Sequence, residues 1–523
     1  MTAFPQHLQG LLHPQAYPHP VQTVQLVETH ISWVLLTGEF AYKIKRPVHY
    51  SFVDLRSAER REFLCHEEVR LNRRFASELY LGVSHITSTD GEARVDGSGL
   101  VIEHAVRMRQ FRREDELDHL LGARRIAPVE LATFGRDLAL IHAALPVASP
   151  EQTWGRPPAL RTLILSNADE CARAALVFDG GADALALRAI LAERLEAAAH
   201  WMSERFAAGR VRECHGDLHA GNIVRRGSLL LAFDCMEFEP AFRWIDVADE
   251  VAFLLADLDS RRESLHSQAF LAGYLAQSGD YQACRLLKLY ETHRSLVRAK
   301  VAALTATAAG AGPSDGMRAL RQQYVDYLDC ARRALSPKRP ILILMHGLSG
   351  SGKSWLAERL APGFGAVHLR SDVERKRLAG LAQSAHSASG LGQGLYTRDV
   401  TTRVYQHLAR CAGDTLAGGY TTIVDASFHR REDRAQFYDL AAELGVAACI
   451  VRCEAPPETL GARIDTRLRG GGDPSEADLS VLDWQAAHFE PIQSGEPLAV
   501  FKALTTRSDV VDTLTRQIGA ITV

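Results

Sequence analysis

Residues 341–354, ILILMHGLSGSGKS, decide how the second half of this chain is read. A continuous apolar run ending in glycine has the composition of a parallel strand buried on both faces. From Gly347 the residues match the spacing G-x-x-x-x-G-K-[ST], and WLAERLAP after them reads as a helix. Glycines let successive backbone N–H groups converge on an anion, and the helix N-terminus adds partial positive charge. Gly347, Gly350, Ser351 and Gly352 are therefore the expected phosphate cradle. Lys353 is expected to reach the β- and γ-phosphates of a nucleotide, and the Ser354 hydroxyl to ligate Mg²⁺.

Helical patterns then alternate with short apolar runs: AVHLRSD from 366, YTTIVDASF from 420, VAACIVRCE from 446 and LAVFKAL from 498. That alternation predicts a three-layer α/β/α arrangement around a parallel sheet. Asp425 ends the second of these runs, where a carboxylate can hold a metal or its water shell. Asp372 closes another run, at the carboxyl ends of the strands where open α/β sheets bind ligands. It is the candidate base for an acceptor hydroxyl, and helix capping is an equal alternative. Arg463 and Arg467 are four apart on PETLGARIDTRL, so they share a helix face just before Gly470-Gly471-Gly472. Such a segment has the composition of a mobile lid carrying cations to a phosphoryl group, with solvated helix charge as the alternative.

Upstream, Cys214-His-Gly-Asp217-Leu-His-Ala-Gly-Asn222 is followed by a run ending Phe233-Asp234. Transfer of a phosphoryl group needs a carboxylate near the acceptor hydroxyl, with an amide oxygen and a second carboxylate for the metal. Asp217, Asn222 and Asp234 supply those types. The chain has only three Asn and eight Lys, so Asn222 in this loop and Lys353 in the other are poorly explained by composition. Residues 21–46 read as short strands with tight turns, and 57–78 as a helix with Leu64, Glu68, Leu71 and Phe75 on one face. Extended segments follow near 81–88 and 99–109, and helical patterns dominate from 111 to about 335. The clearest breaks are 305–316 and SPKRP at 336–340.

At 523 residues the chain is too long for one core. Sixty basic and sixty-three acidic side chains give a net charge of −3, which excludes the overall basic excess of a nucleic-acid or anionic-membrane binder. Nine Cys with no C-x-x-C pair fit a reduced, cytoplasmic protein without a zinc site. The first twenty residues lack a basic segment followed by a long apolar run, so no signal peptide is expected. No stretch approaches a membrane span.

The run H-G-D-L-H-x-x-N followed by a strand ending in Asp resembles the aminoglycoside phosphotransferase and choline-kinase branch of the protein-kinase-like fold. The resemblance implies that Asp217 positions the acceptor hydroxyl and that Asn222 and Asp234 bind metal, with His215 and His219 shaping the loop. It also implies a strand lysine, Lys43 with Lys45 in reserve, and a helix glutamate to pair with it, Glu68 rather than Glu67. Adenine is expected against a hinge at 102–108, near Ala105 and Val106, and Asp246 beneath the loop. The phosphate-covering turn, Leu36-Thr-Gly38-Glu-Phe40, departs from the family by having a single glycine.

The motifs HGLSGSGKS, LRSDVERKRL and IVDASF, with the Arg-bearing segment, resemble the P-loop kinases of the gluconate kinase, zeta-toxin and polynucleotide kinase group. Together they look like the two-part bacterial proteins described as bifunctional aminoglycoside phosphotransferase/ATP-binding proteins. The expectation is an α/β multidomain protein. A protein-kinase-like two-lobe (α+β) domain covers 1–335, with a β lobe at about 20–110 and an α lobe at about 111–335; a P-loop NTPase domain covers 336–523.

The implied activity is ATP- and Mg²⁺-dependent transfer of the γ-phosphate to a hydroxyl of an unidentified small molecule, at two nucleotide sites. One alternative makes one half an ATP-binding regulator of the other. A second makes the P-loop half a polynucleotide end kinase, with Arg370–Arg377 and His429–Arg434 facing phosphates. Against the second, the interleaved Asp372, Glu374, Glu432 and Asp433 read as solvated helix faces. Acceptor and oligomeric state are not encoded legibly.

Overall fold

A computed structural model describes residues 4–50, 53–178, 180–310, 314–383, 385, 387, 393–470 and 473–522. Gly471 and Gly472 of the expected lid, and part of the 305–316 break, lie outside these.

The first lobe is a six-stranded antiparallel sheet in the order Gln25–Glu28, Ser32–Leu36, Phe40–Lys45, Leu100–Arg109, Tyr80–Thr89, Glu92–Val95. Helix Ala58–Ala76 packs on it, capped by the Ser57 side chain, which accepts the Arg60 N–H. Its buried face carries Leu64, Glu68, Leu71 and Phe75, as the helical period predicts.

The second lobe is helical, built on the long helices Pro128–Ala144, Pro157–Ala174, Gly181–Ala207, Ser264–Ser278, Cys284–Ala309 and Asp315–Leu335. At its centre lies Val247–Ser260, a helix with almost every residue buried, its acids Asp249, Glu250 and Asp257 included. Carboxylates in an apolar helix require partners. Asp249 takes both arms of Arg294, at 2.8 Å each. The other two turn to backbone: Glu250 accepts N–H from His215 and Gly216 at 2.7 and 2.8 Å, and Asp257 accepts N–H from Ala220 at 2.8 Å. The expected Asp246 beneath the loop is thus corrected to Glu250. Asp246 caps this same helix at Ala248 and pairs with the fully buried Arg205.

The last unit is a five-stranded parallel sheet in the order Val367–Arg370, Thr422–Asp425, Ile341–His346, Ala447–Glu454, Ala499–Leu504. Strand Ile341–His346 is wholly buried in the middle. Leu342 and Leu344 point into a core continuous with the helical lobe, while Ile341, Ile343 and Met345 point into a separate cluster under helices Lys353–Phe364 and Val510–Gly519. The two faces give three layers.

The domains are docked through polar contacts on helix Ser371–Leu378. Glu374, fully buried, accepts from Tyr281 at 2.9 Å and meets His407 at 3.0 Å, and Arg377 donates to the carbonyls of Ala276 and Gln277. The segment 429–434, which enters helix Arg431–Leu444, is enclosed in part: Arg434 is 0% exposed and Asp433 6%, whereas Arg431 and Glu432 are exposed. Glu374 and Asp433 therefore depart from the expected solvated faces, while Glu432 stays exposed. Glu374 is held by Arg377, His407 and Tyr281 of the neighbouring domain, and Arg434 by Glu496, a distribution that helical charge spacing does not reveal. Among the described residues no helix is long and apolar enough to cross a membrane.

Gly418 ends helix Arg398–Ala417 with φ −75°, a conformation any residue adopts, yet an added Cβ would lie 2.2 Å from the Cys284 carbonyl oxygen. Gly418→Val is therefore expected to loosen docking by steric overlap alone. Trypsin cleavage after the exposed Lys338 should accelerate roughly tenfold, as about 1.4 kcal/mol of lost packing implies; an unchanged rate would place the docking energy elsewhere. Glu250→Gln replaces an acceptor pair by a group with donors facing two backbone donors. It should lower the unfolding free energy of the first domain by about 2–4 kcal/mol in denaturant titrations, and a change under 1 kcal/mol would show that the loop is held by other contacts.

Candidate functional site

In the first domain the chain brings together residues from both lobes. Lys43, on the Phe40–Lys45 strand, donates to Glu68 Oε1 at 2.9 Å and contacts Asp234 across the cleft. Lys45 lies two residues along the same face and bridges Glu68 and Glu237. Both lysines thus meet Glu68, whereas Glu67 pairs with Arg70 and Arg243. Burial alone would depress the Lys43 ammonium, but Asp234 and Glu68 outweigh it and hold it protonated well above its ordinary value. Burial likewise works to raise Glu68, and the two ammonium groups bring it down. Glu237 goes the other way, with burial dominant.

The loop from Cys214 turns at Gly216, whose φ of 87° is left-handed and whose added Cβ would sit 2.8 Å from the Phe242 carbonyl, so only glycine fits. His215 is buried against Phe233 O at 2.9 Å, and His219 Nδ1 accepts the Gly221 N–H at 3.1 Å. Both therefore hold loop backbone. Asn222 Nδ2 donates to the Asp217 carbonyl and to its Oδ2 at 3.0 and 3.1 Å, which leaves Asn222 Oδ1 without a protein partner among the described residues. The Phe233 N–H donates to Asn222 O at 2.9 Å, placing Asp234 beside it. Asp234 has φ 65°, unusual for a residue with a Cβ; its N–H donates to the Tyr80 hydroxyl at 3.0 Å, and its side chain is 45% exposed. Burial pushes the Asp217 carboxyl up, but His219, Arg298 and His215 overcome it and hold it below the usual carboxylate range. The free Asn222 Oδ1 and the half-exposed Asp234 carboxylate are hard oxygens of the kind that fit a divalent cation such as Mg²⁺.

Val106 is corrected. It lies in mid-strand, opposite Lys43 on one side and Val83 on the other, and is fully buried. Its backbone serves the sheet and cannot meet an adenine. The chain leaves the sheet after Arg109, and there Gln110 Oε1 accepts the N–H of Gly38, tying the phosphate-side turn to the crossing point at 2.8 Å.

In the second domain a cavity of about 660 Å³ opens at the carboxyl ends of the parallel strands. Gly350, Gly352, Lys353, Ser354, Asp372, Asp425, Arg463 and Arg467 all line it, whereas Gly347 and Ser351 do not. The Gly350 φ is 79°, and an added Cβ would sit 2.5 Å from Leu460 O. Lys353 Nζ donates to the carbonyls of Gly347 and Leu348, both at 2.9 Å. Burial lowers its pKa. Asp425 touches His368 Nε2 at 3.3 Å and hydrogen-bonds Ser354; burial works against its charge, but these groups and Lys353 bring its pKa down to about 2. The Ser354 and Asp425 oxygens again fit a hard cation.

Asp372 is in the first turn of its helix and does not cap it: the N-cap is Arg370, with no side-chain cap bond. Arg463 donates to Gly350 O at 3.3 Å and to Thr505 Oγ1 at 2.9 Å, so it braces the loop after strand Ile341–His346. Arg467 donates to Ala477 O, and its Nε is buried without a partner. Glu250 and Glu237 escaped the sequence reading. The signal for Glu250 was present, as paired acids inside an apolar helix.

Comparison with known proteins agrees with both halves. Residues 59–287 match the model of the phosphotransferase enzyme family, and residues 342–492 match an AAA domain. A choline/ethanolamine kinase family protein from Mesorhizobium loti is 11% identical with a TM-score of 0.32, covering 60% of this chain and 93% of its own. A kinase structure from Chloroflexus aurantiacus J-10-fl is 21% identical with a TM-score of 0.27, covering 35% and 99%. Uncharacterized proteins of Mycobacterium tuberculosis (strain ATCC 25618 / H37Rv) and of Mycobacterium bovis (strain ATCC BAA-935 / AF2122/97) are each 30% identical over 480 residues, 90% of this chain and 93% of theirs. The chain belongs to the same family as these mycobacterial proteins, and it joins a phosphotransferase domain to a P-loop kinase domain.

Proposed function

We propose that the protein is an ATP- and Mg²⁺-dependent phosphotransferase with one nucleotide site in each domain, each able to move the γ-phosphoryl group to a hydroxyl of a small molecule. One observation carries the reading. Each domain, on an unrelated scaffold, gathers a lysine ammonium, an oxygen pair fit for a divalent cation and a further carboxylate around one cleft: Lys43, Asn222 with Asp234, and Asp217; Lys353, Ser354 with Asp425, and Asp372.

In-line phosphoryl transfer is catalysed mainly by positioning and charge neutralisation. In the first domain Glu68 holds the Lys43 ammonium toward the phosphates, and Asp217, kept ionised, accepts the proton of the acceptor hydroxyl. Glu250 fixes that loop from beneath. In the second domain the backbone N–H groups of 347–354 and the N-terminus of the Lys353–Phe364 helix bind phosphate oxygens. Lys353 exchanges its two carbonyl partners for the β- and γ-oxygens, Asp372 takes the hydroxyl proton, and the unpartnered Arg467 Nε turns to the transferred group. A bound Mg²⁺, held by Asn222 and Asp234 or by Ser354 and Asp425, supplies neutralisation of charge across the phosphates.

Titration calorimetry with a non-hydrolysable ATP analogue and Mg²⁺ should count two sites per chain, falling to one in Lys353→Ala. ATP consumption should survive in part in Lys353→Ala and in Asp217→Ala and vanish in the double variant; full activity there, or a single site in the wild-type protein, would refute the reading. Because Asp217 is held below the usual range, the transfer lost in Asp217→Ala should show no acid limb between about pH 5 and 8.

A further inference from the structure

Helix Cys284–Ala309 carries five cations, and four of them meet a carboxylate at 2.6 to 2.9 Å: Arg285 at Asp414, Lys288 at Glu291, Arg294 at Asp249 and Lys300 at Glu170. The fifth, Arg298, has no carboxylate within 4 Å among the described residues, although it is half-buried. Its Nε donates to the Tyr327 hydroxyl at 3.3 Å, and the guanidinium lies 5.8 Å from that ring's centroid. Both of its Nη atoms are left without a protein partner among the described residues. A guanidinium drawn partly out of water without a counter-charge is costly, and the ring only partly offsets this.

Its place beside the loop of the first domain says what completes it. Arg294, one helical turn earlier, donates to Gly216 O at 3.5 Å, and Tyr327 links Arg298 to Asp257, which accepts the Ala220 N–H at 2.8 Å. Arg298 thus stands along the stretch 216–220, and its charge is among those that hold the Asp217 carboxyl down. Asp257 does not need it, because the Ala220 N–H, the Tyr327 hydroxyl and Arg261 at 3.3 Å already satisfy that carboxylate. Asp217 Oδ2 accepts from Asn222 at 3.1 Å, its Oδ1 has no protein partner among the described residues, and the side chain is 29% exposed. An unpartnered carboxylate oxygen and an unpartnered guanidinium edge therefore lie next to each other. Arg298 and Tyr327 both come from chain beyond residues 59–287, the part that matches the phosphotransferase family.

We infer that the acceptor of the first domain is a small hydroxyl compound carrying an anionic group, a carboxylate or a phosphate ester, which pairs with the Nη edge of Arg298 while its hydroxyl lies at Asp217 Oδ1. The same guanidinium repels an acceptor that carries an ammonium beside its hydroxyl, so selectivity has an attractive and a repulsive part. The planar fork suits a two-oxygen anion, with Nε held on Tyr327 to fix its direction. The inference rests on the phosphotransferase reading of this domain and names the acceptor class for it. In the step concerned the acceptor oxygen forms a bond to the γ-phosphorus, the bond from that phosphorus to the β,γ-bridging oxygen breaks, ADP leaves with the electron pair, and the hydroxyl proton passes to Asp217. Arg298 touches none of the reacting atoms and acts by positioning.

The test uses the full chain carrying Lys353→Ala, so that bound nucleotide reports on the first domain, with Mg²⁺ and a non-hydrolysable ATP analogue. It is titrated with two matched sets: glycerol, glycerate, glycerophosphate and serinol, and glucose, gluconate, glucose phosphate and glucosamine. In each set an anionic member should bind at least about tenfold more tightly than the neutral parent, and the ammonium member at least about tenfold more weakly. The carboxylate and phosphate arms tell which anion the site takes. Arg298→Ala should abolish both preferences and Arg298→Lys restore part of them, because the charge returns without the planar fork. With the preferred compound under turnover, Arg298→Lys should raise KM far more than it lowers kcat.

Equal binding of anionic and neutral members, including binding of none, overturns the inference, and this comparison needs no change at Arg298. Tightest binding of the ammonium members overturns it as well, and so does retention of the preference in Arg298→Ala. Failure of the phosphotransferase reading is distinct: the Lys353→Ala chain would then bind no analogue at all.

Discussion

A charge taken out of water must find its opposite, and in this protein that constraint joins lobe to lobe and domain to domain. Lys43 is the plainest instance. Its ammonium, on a strand of the antiparallel sheet, reaches Glu68 on the helix behind it and Asp234 in the other lobe, 191 residues away in sequence. Lys45 repeats the arrangement with Glu68 and Glu237. The helical lobe answers with its own set: Glu250 and Asp257 beneath the loop, Asp249 on Arg294, and Arg205 between Asp246 and Asp280. The loop from 214 to 222 is therefore shaped less by its own residues than by the carboxylates that accept its N–H groups.

The same rule governs the docking of the domains. Helix Ser371–Leu378 has two duties on two faces. Asp372 and Arg375 face the cavity, while Glu374 and Arg377 engage Tyr281 and the carbonyls of Ala276 and Gln277. One wall of the P-loop cavity is thus braced by the phosphotransferase domain. Close packing enforces the contact, for Gly418 leaves no room for a side chain against Cys284.

Local signals were enough for much of the architecture. Continuous apolar runs placed the parallel strands, alternation placed the antiparallel ones, and helical spacing put Glu68 on the buried face of its helix with Leu64, Leu71 and Phe75. Lys353, Ser354, Asp372, Asp425, Arg463 and Arg467 come from well-separated segments, yet all line one cavity. Where the reading went astray, distance in sequence was the cause. Val106 was placed at the hinge because a run of strand-like residues does not announce which of them pair on both sides. Glu374 and Asp433 read as solvated because alternating signs are the same whether a helix face meets water or protein.

The sequence alone determined the two scaffolds and the residue types in each candidate site, because strand period, helix period and loop motifs are written in contiguous residues. Tertiary structure alone decided which charges neutralise one another: Glu250 rather than Asp246 under the loop, Glu374 claimed by the other domain, Arg298 left without a carboxylate. Pairing of charges depends on distances of a few ångströms between segments that may be a hundred or more residues apart, and no local pattern carries that information.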